Sequence, residues 1–357
     1  MTEHTSPCPV GVAMSGGVDS TVAAALLLEQ GFSVHGFFMQ LPLPGLDEQI
    51  RKVRQVADRL ALPLHFVDMK EEFTKRVITY FCDAYCHGQT PNPCVVCNQE
   101  IKFGLLTKAM LDQGMEKFAT GHYAGIEQVN GTALLRRGED PRKDQSYFLC
   151  RLSSQQLQQT LFPLAAHNKN DIFHKAQALG FNHFSGEESQ DVCFLARQDL
   201  TSFLREQGVR SAKGDIVTKD GRVLGSHQGI WKYTVGQRRG LGIPDATPWY
   251  VVGLCPESNR VIVGKNDTLF QKELTLSDMQ WHLNPPIPWQ GKVQLRSRHK
   301  AAEAEVSPAE NGSKSGNWRV RFQKPQRAVT PGQFAPVSKR PGGRVRSNNI
   351  IISNYNL

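Results

Sequence analysis

Two short stretches of this 357-residue chain combine residue types that do chemistry. The first is Ser15-Gly16-Gly17-Val18-Asp19-Ser20, set between an apolar run, Val10–Met14, and a helical pattern, Val18–Gln30. Paired glycines let a backbone approach a ligand closely and adopt positive φ. Amides and hydroxyls at a helix N-terminus make an anion site. The GxxxxGK[ST] pattern is absent, so a Walker-type loop is unsupported; the competing reading is a Gly-Gly turn with a Ser or Asp helix cap. The second stretch is Thr90-Pro91-Asn92-Pro93-Cys94-Val95-Val96-Cys97-Asn98, with a further thiol at Cys193. Two prolines stiffen the approach, and Asn98 is placed to cap the helix that follows. A thiol there is expected to have its pKa lowered by the helix dipole, and the thiolate is the reactive form. A lone CxxC is ambiguous between zinc, redox chemistry and chance. A structural zinc site wants four closed ligands, and no second CxxC exists in the chain.

The elements that must position these residues alternate. Strands are expected at Val10–Met14, Ser33–Gln40, Leu64–Val67 and Lys117–Thr120, and helices at Val18–Gln30, Asp47–Ala61, Glu71–Cys86 and Gln99–Gln113. Strands alternating with helices of this length imply an α/β fold with a doubly wound parallel sheet, which binds ligands outside the carboxyl ends of its strands. After Leu204 the texture changes. Lys213–Gly242 is rich in glycine and basic residues, and short β-like runs recur from Trp249 onward, separated by turn signals such as Lys219-Asp220-Gly221 and Asn311-Gly312. The expected domains are 1–205 (nucleotide loop and thiols), 206–270 (a small central domain) and 271–357 (a basic β-barrel).

The formal net charge is +9, and its distribution is uneven. Gly291–Leu357 holds 13 Lys and Arg against three Glu, or +10, leaving −1 for the rest. Such a patch attracts a polyanion by releasing condensed counterions, although a basic surface can also simply aid solubility. No apolar stretch is long enough to span a bilayer and no signal peptide is read, so a cytoplasmic location is expected. The eight cysteines are then thiols, ligands or redox groups rather than a disulfide frame. Cys8, Cys82, Cys86, Cys150 and Cys255 read as small apolar residues.

SGGVDS resembles the PP-loop of ATP pyrophosphatases, which cut ATP between its α and β phosphates and adenylate a substrate oxygen. TPNPCVVCNQEIKF, with Thr120–Tyr123, Lys143–Leu149, Ser189–Phe194, Gly236–Gly242 and Thr330–Gln333 in that order, resembles the bacterial tRNA-specific 2-thiouridylases over nearly the full length. The resemblance implies a PP-loop domain, a small central tRNA-binding domain and a C-terminal β-barrel. It also implies an enzyme, a tRNA-uridine 2-sulfurtransferase that consumes ATP with Mg2+ to place sulfur at C2 of the wobble uridine. By it, Ala13, Met14, Ser15, Gly16, Gly17, Val18, Asp19 and Ser20 would bind ATP, with Met39 and Gly121 holding the adenosine. Cys97 would be the catalytic cysteine and Cys193 the persulfide carrier, the persulfide being released as a second thiol forms a disulfide. Asn92, Pro93 and Cys94 would meet the target base, and His122, Lys143, Asp144, Gln145, Arg298, His299 and Gln333 the tRNA. The tRNAs implied are those for Lys, Glu and Gln, and the sulfur donor a cysteine desulfurase or a relay protein.

One departure is Cys94, where many members carry aspartate. Cys94, Cys97 and Cys193 could instead hold a [4Fe–4S] cluster with one open iron that delivers sulfide; the persulfide route is favoured. Asp19 could help place magnesium or cap its helix, and Arg238-Arg239 could clamp a phosphate or form a solvated turn. The alternatives to a thiouridylase are a PP-loop ligase or amidotransferase acting on a small molecule, and a non-enzymatic nucleotide-sensing RNA-binding protein. Neither requires reactive thiols.

Overall fold

The computed structural model describes residues 7–182, 192–195, 198–309, 316–338 and 345–352, the last as backbone. The expected turn at Asn311-Gly312 and the residues Ser189–Asp191 lie outside these. The chain divides into two compact units: Met1–Val77 with Cys94–Ala196 and Gly342–Val345, and Ile78–Pro93 with Arg197–Pro341 and Arg346–Leu357.

The first unit is built on strand β1 (Pro9–Ala13), helix α1 (Val18–Glu29), β2 (Ser33–Gln40), α2 (Leu46–Arg59) and β3 (Leu64–Asp68). A long helix, α3 (70–86), follows; its last turns, from Ile78, belong to the second unit. Helix α4 spans 93–112, then come β4 (Lys117–Ala119), a hairpin of β5 (Ala124–Val129) and β6 (Thr132–Arg137), and β7 (Thr160–Leu161). The hairpin turns at Asn130 (φ 50°) and Gly131 (φ 76°), the two positive-φ residues that a tight hairpin turn requires. The five-stranded sheet runs β3-β2-β1-β4-β7, with every neighbouring pair parallel. The chain winds outward from β1 to β3, then returns to the other side of β1 for β4. This reversal opens a crevice at the carboxyl ends of β1 and β4, where the Ser15–Ser20 loop leaves β1. One sheet face is held by a core of Val10, Val12, Met14, Val34 and Phe38 packed on Val22, Ala23, Leu26 and Leu27 of α1. Eight of the twelve residues of α1 are buried, so packing rather than amphipathic patterning holds this helix.

The second unit contains β8 (Gly214–Thr218), β9 (Val223–His227), β10 (Tyr250–Cys255) and β11 (Arg260–Gly264) in a four-stranded sheet ordered β10-β11-β8-β9. A closed barrel follows, of β12 (Phe270–Trp281), β13 (Trp289–Val293), β14 (Ala302–Pro308), β15 (Trp318–Arg327), β16 (Val337–Ser338) and β17 (Val345–Ile352). Closure removes the unpaired edges of an open sheet. The barrel is filled by Leu274, Leu276, Val293, Val306, Val320 and Phe322. The expected parallel-sheet fold and C-terminal β-barrel are both present. No helix of the described residues is long and apolar enough to cross a membrane.

Candidate active site

The loop after β1 closes on itself before α1 begins. Gly16 sits at φ +75°, a conformation that strains any L side chain, and a Cβ on it would come within 3.2 Å of the Val53 backbone nitrogen. The Ser15 amide donates to Ser20 Oγ at 3.2 Å, the Gly17 amide to Ser15 Oγ at 3.3 Å, and Ser20 Oγ to the Gly17 carbonyl at 3.0 Å. Gly17 is the N-cap of α1, and no side chain caps the helix. The Ser or Asp cap weighed from the sequence is therefore not what forms. The first amides of α1 have no intrahelical acceptor, which leaves an anion-binding N-terminus.

Those residues line one cleft of the first unit. Its walls come from Ala13, Met14, Ser15, Asp19 and Ser20, with Met39 from β2 and Gly121 and His122 after β4. Gln145 completes it, together with three residues that sequence reasoning did not assign: Phe37, Lys102 and Thr120. Phe37 could have been found, because it stands two residues before Met39 and so shares its strand face. Gly16, Gly17 and Val18 form the turn behind the cleft rather than its wall. Gly121 is a point of close approach: a Cβ there would lie 2.6 Å from the Asp19 carbonyl carbon and 2.8 Å from the Ser20 nitrogen.

Asp19 has neither of the roles weighed for it. Lys169 Nζ donates to both carboxylate oxygens at 2.8 Å, and Tyr123 Oη donates to Oδ1 at 2.7 Å. Lys169 is buried, with its ammonium over the rings of Tyr123 and Phe173. Asp19 is the only acid lining the cleft among the described residues, and both its oxygens are held, so it does not fit a free ligand for magnesium. Removing one partner of a buried pair leaves the other charge uncompensated. Lys169→Met is expected to lower stability by about 2–3 kcal/mol, short of the ~3–5 kcal/mol for fully buried pairs because Asp19 is partly in water. Urea unfolding of the variant checks this.

The thiols lie on different structure from that expected. Helix α4 starts at Pro93, not near Asn98, so Cys94 and Cys97 are inside its first turns and Asn98 caps nothing. Proline suits a first helical position, where its missing N–H costs no bond. From Cys97 to Leu106 the helix is π-wound, a rare form that concentrates at functional sites. Asn98 is buried, its amide donating to the Phe148 carbonyl at 2.9 Å while Oδ1 has no partner.

The expected lowering of thiol pKa is also overturned. Burial pushes the Cys97 thiol up to about 12, against a smaller opposing pull from Lys102. Burial likewise raises Cys94 and Cys193, and Cys94 adds to the rise at Cys193. Desolvation of the thiolate outweighs a dipole acting at one helix end. Cys193 is exposed to water although its surroundings still raise it, whereas Cys97 is buried. In the resting protein, alkylation of Cys97 is therefore expected to stay slow at neutral pH and to accelerate only far above the ordinary thiol range. Mass-resolved iodoacetamide labelling against pH measures this.

A [4Fe–4S] cluster would need its three cysteine donors drawn together around one centre. Cys94, Cys97 and Cys193 are near enough to influence one another's ionisation. Yet no group of three or more His, Cys, Asp or Glu among the described residues is gathered tightly enough to hold a metal ion. The arrangement of these described residues does not fit a cluster.

The residues expected to meet tRNA fall in both units. In the first, His122 is held neutral: burial drives its pKa well below the usual histidine value and Lys102 adds to this, while Thr120 Oγ1 lies 2.7 Å from Nδ1. Asp144 is mostly buried and accepts from the Gly138 and Ser146 amides and from Ser146 Oγ, which orders the Lys143–Gln145 turn. Gln145 accepts from the Tyr123 amide at 3.0 Å. Lys143 is half-buried in the same turn. In the second unit, Gln333 donates to the Thr90 carbonyl at 2.8 Å, and Thr90 donates to the Pro331 carbonyl at 2.9 Å. This tethers the approach to Asn92 and Pro93. Arg298 is exposed, and His299 beside it keeps a buried Nδ1 without a partner. Arg238 and Arg239 are exposed in a turn whose Gly236 and Gly240 have positive φ.

Comparison with known proteins decides the family. Residues 9–197 match a family model described as the tRNA methyl transferase HUP domain, residues 201–265 its PRC-barrel domain, and residues 271–337 the aminomethyltransferase beta-barrel domain. The tRNA-specific 2-thiouridylase MnmA of Desulfotalea psychrophila is 48% identical over 332 residues, covering 92% of this chain and 95% of that protein. The chain belongs to the tRNA-specific 2-thiouridylase family. A second 2-thiouridylase, from Syntrophotalea carbinolica, is 43% identical and covers 91% of this chain and 93% of its own length. Among solved structures, a 4-thiouridine synthetase–RNA complex with bound ATP is similar over 56% of this chain and 50% of that one, at 20% identity and a TM-score of 0.36. The 2-thiouridylase relatives span all three matched regions of the chain. The thiols and the cleft both lie in the first of these, residues 9–197.

Proposed function

We propose that this 2-thiouridylase adenylates the C2 oxygen of the wobble uridine (U34) of tRNA and replaces it with sulfur from a cysteine persulfide. The carrying observation is that one cleft is walled both by the uncapped N-terminus of α1 and by Lys102 from the thiol-bearing helix α4. ATP enters with magnesium on its phosphates. The uridine O2 attacks the α-phosphorus, the bond to the bridging oxygen breaks, pyrophosphate leaves and the N3 proton is lost. The terminal sulfur of a persulfide on Cys193 then attacks C2, and AMP departs carrying the former uridine oxygen. The Cys97 thiolate attacks Cys193 Sγ, breaking the S–S bond and leaving 2-thiouridine and a Cys97–Cys193 disulfide, which a dithiol reductant resets.

Exposure supports this division of roles. Cys193 is open to a cysteine desulfurase or relay protein, and buried Cys97 is protected from adventitious oxidation. Base chemistry at C2 needs the nucleotide out of its stack, as anticodon-loop bases can be. The basic barrel would supply backbone contacts, so tRNA affinity is expected to fall by ~100-fold or more between about 50 and about 200 mM salt. Filter binding measures it.

The test is AMP release with ATP, magnesium, a persulfide donor and unmodified tRNA. Equal yields of AMP and 2-thiouridine, both dependent on tRNA, are expected. AMP release that ignores tRNA but responds to a small-molecule acceptor would favour the ligase or amidotransferase reading instead.

A further inference from the structure

Lys102 stands where the two halves of this chemistry meet. Its side chain lines the nucleotide cleft beside Ser15, Asp19, Ser20 and His122. Its backbone lies on α4, five residues after Cys97. On an α-helix of 3.6 residues per turn, that spacing would turn Lys102 roughly 140° away from Cys97. The π-winding that begins at Cys97 closes a turn with each i→i+5 bond, which brings position 102 back toward the side of position 97. The ammonium has no ion-pair or hydrogen-bond partner among the described residues. The one carboxylate among the described residues of the cleft is already taken, at 2.8 Å from each oxygen, by Lys169. A lysine without a counter-charge among the described residues, in a partly desolvated wall, is costly, and an anion entering the cleft relieves that cost.

We propose that Lys102 is a catalytic residue for both half-reactions, binding the α-phosphate while uridine O2 is adenylated and serving as counter-ion to the sulfur anions of Cys193 and Cys97 during sulfur transfer. The inference rests on the thiouridylase reading above. The charge of Lys102 acts in the same direction on all three thiols, favouring the thiolate of Cys94, Cys97 and Cys193 against burial. It also disfavours charge on His122. One cation thereby links phosphate occupancy to thiol ionisation without a moving element.

Lys102→Met, Lys102→Gln and Lys102→Arg test this on the full chain, with thermal unfolding as the control for folding. Two readouts are taken beside wild type: tRNA-dependent pyrophosphate release, and the pH profile of alkylation of Cys193. Both neutral variants are expected to lose pyrophosphate release by about 100-fold or more, the scale of removing one preorganised charge donor. They are also expected to shift Cys193 alkylation to higher pH. Lys102→Arg keeps the charge, so it is expected to keep the wild-type alkylation profile. Neutral variants that fold and match wild type in either readout would overturn the dual role. Should Lys102→Met and Lys102→Gln not fold, a Lys102→Arg protein with a shifted alkylation profile would overturn it too. If wild type itself released no pyrophosphate with tRNA while the alkylation shifts appeared, the thiouridylase reading would fail and the electrostatic link would stand.

Discussion

Cys97→Ala is expected to make no measurable 2-thiouridine, a loss on the order of 10³-fold or more, while still cleaving ATP in the presence of tRNA. The reason is the order of bond changes. Adenylation uses the phosphate site and the uridine oxygen and needs no thiol. Attack of the persulfide on C2 needs only Cys193. What Cys97 supplies is the second attack, on Cys193 Sγ, and without it the product stays joined to the enzyme through C2–S–S–Cys193. Cys97→Ala should therefore accumulate a tRNA–protein adduct that a dithiol releases, read as a shifted band on a denaturing gel. Cys193→Ala should be equally inactive in thiolation but form no such adduct. An adduct on neither variant, with thiolation intact in Cys97→Ala, would remove Cys97 from the mechanism. Cys97 is buried, so the truncation leaves a small cavity. The adduct, which a merely destabilised protein would not form, separates the chemical effect from a packing effect.

Gly121→Ala is expected to weaken nucleotide binding by about 10-fold or more, with a stability loss of only ~1–3 kcal/mol from overpacking. The added Cβ would meet the Asp19 carbonyl carbon at 2.6 Å and the Ser20 nitrogen at 2.8 Å. Both are backbone atoms, so no rotamer change relieves the contact, and the start of α1 must shift. That shift misplaces the uncapped amides that would hold phosphate, and a misplacement of about 1 Å can cost ~10²-fold in a preorganised site. Calorimetric titration with a non-hydrolysable ATP analogue gives the affinity, and urea unfolding gives the stability. Affinity unchanged at wild-type stability would show that the α1 terminus does not hold the nucleotide.

The sequence carried the frame of this site and missed its wiring. Alternating apolar runs and helical patterns placed β1, β2 and β3 within a residue of their ends and α1 and α2 within two, because each is long and bounded by clear turn signals. The hairpin at 124–137 is less legible although Asn130-Gly131 is a strong turn signal, because its strands lack clean alternation. Helix α4 begins at Pro93, six residues before the Gln99 that the pattern suggests, because a proline that stiffens a loop and one that opens a helix look alike in sequence. Nothing in residue types announces a π-winding, so Lys102 could not be placed on the side of Cys97. The Asp19–Lys169 pair joins residues 150 positions apart, a contact that only the folded chain reveals. Helix-end reasoning gave the wrong sign for the thiols because burial cannot be judged from a CxxC and its neighbours.

The most direct measurement follows the fate of one oxygen atom. Unmodified tRNA carrying heavy oxygen at C2 of the wobble uridine is incubated with enzyme, ATP, magnesium and a persulfide donor, and the released AMP is weighed by mass spectrometry. Direct adenylation of C2–O requires one heavy oxygen in each AMP, matched to each 2-thiouridine formed. AMP of ordinary mass appearing alongside 2-thiouridine would mean that the uridine oxygen never reaches phosphorus, and the account would be wrong at its centre.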